Sequence, residues 1–220
     1  MTLARYMSED GTTEIYLITP PRLDDPAGFA DQLKAALDAG GAACVQLRLK
    51  DVDDDAIRRA VDILRPPTQE RDIAFIMNDR PDLARETGCD GVHVGQEDAS
   101  YADARRLLGP DAIVGVTCKY SRHLAVEAAD AGADYVAFGA FFTSATKDGT
   151  AQARPDILDW WSGTTTVPCV AIGGINPANC GPLVAAGADF LAVISAVWGH
   201  PDGPAAAMEE FRRAIAAAAS

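Results

Sequence analysis

The chain has 220 residues, 48% of them hydrophobic and 23% charged, which excludes disorder as the main state and suits one α/β domain better than two. Lys and Arg number 19 against 32 Asp and Glu, a net charge of −13 that opposes the phosphate neutralisation needed for nucleic-acid binding and any attraction to anionic membranes. An anionic ligand would therefore need a local Arg/Lys cluster, backbone N–H groups or a divalent metal to reverse the field within its site.

Short apolar runs alternate with amphipathic stretches about eight times along the chain. The predicted strands are EIYLIT at 14–19, ACVQLRL at 43–49, IAFIMN at 73–78, GVHV at 91–94, AIVGVT at 112–117, YVAFGAF at 135–141, CVAIGG at 169–174 and FLAVIS at 190–195. Helical segments are expected to start near Pro26, Asp53, Pro81, Tyr101, Ser121, Pro155, Pro177 and Pro204, several opened by a proline suited to a first helical turn. Parallel neighbours require helical crossovers, so this order predicts a single (β/α)8 TIM barrel of the α/β class over residues 1–220, with residues 1–12 expected to be mobile. A doubly wound dinucleotide fold would carry a Gly-rich turn after the first strand, where this chain has TPPRLDDP. The segments AGADYVAFGA and AGADFLAVIS, at 131–140 and 186–195, read as one recurring helix-to-strand junction capped by glycine.

In such a barrel the chemistry lies at the C-terminal ends of the strands. The second strand ends QLRLK, so Gln46, Arg48 and Lys50 share one side at period two, a pattern that favours an anion site over a solvated strand end. The third strand ends in Asn78 and Asp79, and GQED after the fourth supplies Glu97 and Asp98. Two carboxylates with ligand oxygens and water are a usual way to hold Mg²⁺ on a phosphate substrate. Asp is also a frequent helix N-cap, and for Asp98 spacing alone leaves both roles open, whereas Asp79 favours the metal. His93, between Val92 and Val94, faces opposite to both and reads as structural. The fifth strand offers Thr117; the sixth runs into Ser144, Thr146 and Lys147, where hydroxyls and a cation suit an oxyanion. Gly173 and Gly174 allow close backbone approach to a phosphate, and Ile194 and Ser195 precede a short helical segment whose amides would complete that site. Two anion sites follow: one of Arg/Lys with a metal, one of glycine amides and hydroxyls.

Five cysteines, odd in number and without a C-x-x-C pair, fit a reducing cytoplasm. The first twenty residues do not resemble a secretory signal, and no apolar run is long enough to span a membrane. The sequence leaves oligomeric state open.

Taken in order, QLRLK, NDRPDLA, DGVHVGQED, GVT, AGADYVAFGAFF with a downstream TK, VAIGGI and AVISAV make the chain closely similar to the thiamine-phosphate synthase (thiamine-phosphate pyrophosphorylase) family over nearly its whole length. The resemblance implies a Mg²⁺-dependent transferase that joins 4-amino-2-methyl-5-hydroxymethylpyrimidine diphosphate to 4-methyl-5-hydroxyethylthiazole phosphate. It further implies that Gln46, Arg48 and Lys50 hold the pyrimidine diphosphate with Asn78, Thr117 and Lys147, that Asp79 and Asp98 bind Mg²⁺, and that Ser144, Ala145, Thr146, Gly174, Ile194 and Ser195 hold the thiazole phosphate. Arg48, Lys50 and Lys147 would act on the leaving charge. The chain departs from the family pattern in three places: Thr143 and Ser144 stand where Pro-Thr is common, Thr117 where Ser is frequent, and Lys119 where a His often follows the fifth strand. A thiazole tautomerase, which uses that His to shuttle a proton, and a non-catalytic thiamine-phosphate sensor are the alternatives.

Overall fold

A computed structural model describes Leu3, residues 11–143 and residues 153–219. The elements run β1 Glu14–Ile18, α1 Pro26–Asp38, β2 Ala42–Leu47, α2 Asp54–Gln69, β3 Ala74–Asn78, α3 Pro81–Thr87, β4 Gly91–Val94, α4 Tyr101–Leu108, β5 Ile113–Lys119, α5 Arg122–Asp130, β6 Tyr135–Gly139, α6 Asp156–Ser162, β7 Cys169–Ile172, α7 Gly181–Ala185, β8 Phe190–Val193, α8 Ser195–Trp198 and α9 Pro204–Ala218. The strands are all parallel and close in sequence order, β8 pairing with β1, which is the single (β/α)8 barrel that the alternation predicts.

Strand periodicity divides the core into two shells. Ile15 and Leu17, Val45 and Leu47, Phe75 and Met77, and Val92 and Val94 point outward and pack under the helices. Their neighbours Tyr16, Ile18, Cys44, Ala74, Ile76, Tyr135, Ala137 and Phe190 point into the barrel and form a separate cluster. Leu3, within the stretch expected to be mobile, is fully buried against that inner cluster; the rest of residues 1–10 lies outside the described residues.

The helix starts follow local chemistry. Asp25, Asp53, Ser100 and Ser121 each accept a hydrogen bond from a first-turn amide of α1, α2, α4 and α5. The recurring Gly-Ala-Asp junction also has a physical basis. Gly132 and Gly187 take φ of +97° and +86°, as a chain leaving a helix for a strand requires, and Gly88 in Gly-Cys-Asp does the same at +70°. The aspartate two residues on then accepts an amide near the start of the preceding strand: Asp90 from Phe75 N at 2.7 Å, Asp134 from Val114 N at 2.8 Å and Asp189 from Cys169 N at 2.7 Å. These carboxylates close the N-terminal rim of the barrel by satisfying strand amides that have no ladder partner.

Several strands end earlier than their apolar runs. β2 stops at Leu47 because Arg48 N turns to Thr19 Oγ1 at 2.9 Å. β7 stops at Ile172, before Gly173 at φ +109°, and β6 stops at Gly139. β5 instead runs on to Lys119 through an irregularity between Thr117 and Lys119, where Lys119 takes φ +54°.

Candidate active site at the barrel mouth

A cavity of about 580 Å³ opens at the C-terminal ends of the strands. Gln46, Arg48, Lys50, Asn78, Asp79, Asp98 and Thr117 line one side of it, and Gly174, Ile194 and Ser195 line the other. A hollow of about 680 Å³ lies at the opposite end, beside Thr12, Gly41 and Arg212, and gathers none of the residues singled out for chemistry. Ser144, Ala145, Thr146 and Lys147 lie outside the described residues.

Gln46 is buried inside the barrel, where its Nε2 donates to Tyr16 Oη at 3.0 Å. Arg48 and Lys50 lie just beyond the strand, in a loop pinned by Thr19 and by the Lys50 N to Pro21 O bond of 2.9 Å. Among the described residues the Arg48 guanidinium has no ion-pair partner, which leaves it available to an anion. Lys50 Nζ reaches Asp79 Oδ2 at 2.5 Å, and Asn78 Nδ2 donates to the same oxygen at 2.5 Å.

Asp79 sits at φ +62°, a conformation that Asp and Asn tolerate better than most residues. Its amide donates to His93 O at 2.8 Å, which ties the turn after β3 to β4. Asp79 caps no helix: α3 begins after Arg80 and has no side-chain cap bond. Asp98 is not the cap of α4 either, since Ser100 fills that place. Instead Asp98 folds back so that its Oδ2 accepts from Gly95 N at 3.0 Å. A Cβ on residue 95 would come within 2.6 Å of that oxygen, so a side chain there would push the Asp98 carboxylate aside. Partial desolvation and then the neighbouring Asp79 carboxyl push the Asp98 carboxyl above its ordinary range. Asp98 remains on the exposed rim, so the effect of the second carboxylate is the informative part. Two carboxylates held this near each other form a donor pair for a hard cation, and a divalent ion shared with a phosphate ligand fits them. Among the described residues no group of three or more His, Cys, Asp or Glu could hold a metal without help from a ligand.

On the other side, Gly174 takes φ +64°, and a Cβ there would lie 2.5 Å from Thr143 O. Phe142 and Thr143, just after β6, therefore lie directly over Gly174. Ser195 opens α8, which is fixed by the Trp198 Nε1 to Ile18 O bond of 2.7 Å.

Tyr16, His93 and Tyr135 line the same cavity and were not singled out as site residues by sequence. An aromatic residue in an apolar strand reads as core, and His93 read as structural. The available signal was register, which turns each of them inward. His93 Nδ1 lies 3.0 Å from Tyr135 Oη and its Nε2 2.7 Å from Thr117 Oγ1. Burial pushes its pKa down to about 4, so the ring is neutral near pH 7.

The family model for thiamine monophosphate synthase matches residues 15–197. A thiamine-phosphate synthase of Rhodospirillum centenum is 64% identical over 201 residues, 91% of this chain and 97% of that protein. One from Hyphomonas neptunium is 49% identical over 203 residues, 90% of this chain and 92% of its own. Among solved structures, thiamine phosphate pyrophosphorylase from Pyrococcus furiosus superposes with a TM-score of 0.81 at 32% identity, covering 94% of this chain and 97% of that one. A family match over residues 15–197 and a relative 64% identical over 91% of the chain lead to one conclusion: this chain belongs to the thiamine monophosphate synthase family.

Proposed function

We propose that the chain joins 4-amino-2-methyl-5-hydroxymethylpyrimidine diphosphate to 4-methyl-5-hydroxyethylthiazole phosphate, giving thiamine phosphate and diphosphate. The observation that carries this reading is the division of one mouth cavity: amide, cations and carboxylates on the β2–β5 side, glycine backbone and Ser195 on the β7–β8 side. The first suits a diphosphate, the second a monophosphate.

In the reaction the bond from the pyrimidine methylene carbon to the diphosphate oxygen breaks, and the thiazole nitrogen forms the new C–N bond. The aminopyrimidine donates electrons to that carbon, so the transition state places negative charge on the departing diphosphate. Arg48 and Lys50 stand where that charge develops, and we add Lys147 to them by family resemblance. Gln46, Asn78 and Thr117 orient the diphosphate ester, while Gly174, Ile194 and Ser195 hold the nucleophile's phosphate in line with the methylene carbon. Asp79 and Asp98 would hold Mg²⁺, which supplies further neutralisation of the diphosphate when bound. Lys50 bridges the two systems, since the ammonium that pairs with Asp79 also borders the diphosphate space. No side-chain nucleophile is required. The five unpaired cysteines accord with a cytoplasmic setting, and among the described residues no helix is long and apolar enough to cross a membrane.

The test is diphosphate release by purified protein given both substrates, first with Mg²⁺ and then with EDTA. Release that needs both substrates and the metal, with thiamine phosphate formed, is the expected result. Tight binding of thiamine phosphate without release would instead mean a sensor, and isomerisation of a thiazole phosphate alone would mean a tautomerase.

A further inference from the structure

Tyr16, Tyr135 and His93 take no part in the reaction as described, yet they connect two residues that do. Gln46 Nε2 donates to Tyr16 Oη at 3.0 Å, Tyr16 Oη meets Tyr135 Oη at 2.8 Å, Tyr135 Oη meets His93 Nδ1 at 3.0 Å, and His93 Nε2 meets Thr117 Oγ1 at 2.7 Å. The chain crosses the barrel through β2, β1, β6, β4 and β5. All its members but Thr117 are buried, and Thr117 is half-buried in the cavity wall.

A continuous series of this kind can hold its protons in one order. Tyr16 oxygen receives the Gln46 N–H and also neighbours the Cys44 thiol; in the order that runs toward the mouth its proton goes to Tyr135 oxygen, and the Tyr135 proton goes to His93 Nδ1. A neutral imidazole that accepts at Nδ1 carries its hydrogen on Nε2 and donates it to Thr117 Oγ1. The Thr117 proton must then turn elsewhere, and among the described residues its hydroxyl meets no second partner. The space it faces is the mouth cavity. The His93 ring is also fixed in place: it stacks on Tyr135 at 5.5 Å and 22°, and Tyr135 lies across Gly115, where a Cβ would come within 1.9 Å of the ring.

We infer that His93 is a positioning residue which, locked in its Nε2–H form by Tyr135, makes the Thr117 hydroxyl an obligatory donor to the anion at the barrel mouth. The inference rests on the reading that Thr117 faces the diphosphate. It explains why a histidine without an ion-pair partner is buried beneath a site for anions.

The test is calorimetric binding of inorganic diphosphate with Mg²⁺ to the full chain carrying Thr117→Val, His93→Phe or both, together with ¹⁵N NMR of the histidine rings. Each single variant is expected to weaken diphosphate about tenfold, the scale of one hydrogen bond to a charged group. The double variant should bind no more weakly than Thr117→Val alone, because His93 acts only through Thr117. The wild-type His93 ring should report the Nε2–H tautomer, and Tyr135→Phe should erase that preference. If His93→Phe does not fold, Tyr135→Phe replaces it in the double-variant comparison. Additive losses, an Nδ1–H tautomer, or a His93→Phe protein that binds diphosphate as the wild type does would each overturn the inference. Unchanged binding by Thr117→Val would remove the placement of the diphosphate against Thr117, and the inference with it.

Discussion

Aspartates stand at both ends of this barrel and do different work. At the N-terminal rim, Asp90, Asp134 and Asp189 each accept a backbone amide of a neighbouring strand, and Asp134 also takes Arg105 Nη2 at 2.5 Å. Their acceptor capacity is spent on the fold. At the mouth, Asp79 and Asp98 face each other beside Lys50, on backbone turned out of the strand conformation, and among the described residues no strand amide N–H bonds to their oxygens. The same side chain is structural where strand amides need an acceptor and free for ligands where the strands have ended.

Exchanging aspartates at the two ends should separate activity from stability. Asp79→Asn keeps a residue that tolerates positive φ but removes the charge; turnover is expected to fall about 100-fold or more, with little change in Tm, as steady-state kinetics and thermal melts would show. A comparable loss of Tm would mean that the mouth aspartates hold the fold as those of the rim do.

The layer between the ends should respond to pH. His93 is buried neutral with its pKa pushed down to about 4, so the unfolded chain takes up a proton first as pH falls. Stability from this group is fully present above the unfolded value of about 6.5 and is lost as pH falls toward 4, by up to about 3 kcal/mol. Urea unfolding in chelator between pH 7 and 4 should show this slope in the wild type, and a flatter one in His93→Gln.

At the rim, Asp134→Ala takes the acceptor from Val114 N and from Arg105 Nη2, while Arg105 Nη1 keeps the Ala112 and Gly109 carbonyls. It is expected to cost about 2–3 kcal/mol, or about 5–10 °C in Tm for a chain of this size. Activity per folded molecule should stay near the wild-type level. Gly115→Ala acts between the two regions, because its Cβ would strike the Tyr135 ring. About 2 kcal/mol of overpacking is expected, together with weaker diphosphate binding as Tyr135 is pushed off His93. A variant that loses stability alone would uncouple the inner layer from the mouth.

Much of this was legible in the sequence. Eight apolar runs separated by capped helices specify a closed parallel barrel, since strand alternation, proline at first turns and glycine at helix exits are local rules. QLRLK and NDRPD announced their side chains because charge at a strand end has little structural use. The strand ends were less legible. Arg48 continues the alternation of β2, but its amide is taken by Thr19, nearly thirty residues earlier, and no local rule shows such a partner. The N-cap reading of Asp98 stayed open for a similar reason, until Ser100 was found capping α4.

The sequence by itself determined which residues alternate, where most helices start and which side chains carry charge, because these depend on spacing of a few residues; the helix expected near Pro177 begins only at Gly181, after a turn closed by Asn176 and Asn179. Only the tertiary structure decided that Tyr16, Tyr135 and His93 meet inside the barrel, and that Asp79 stands beside Asp98. Both shells of a barrel strand are apolar, so period two alone does not say which face looks inward or which residues of five different strands share a layer. Closure of the barrel and the register of its strands fix that, and they are properties of the whole chain.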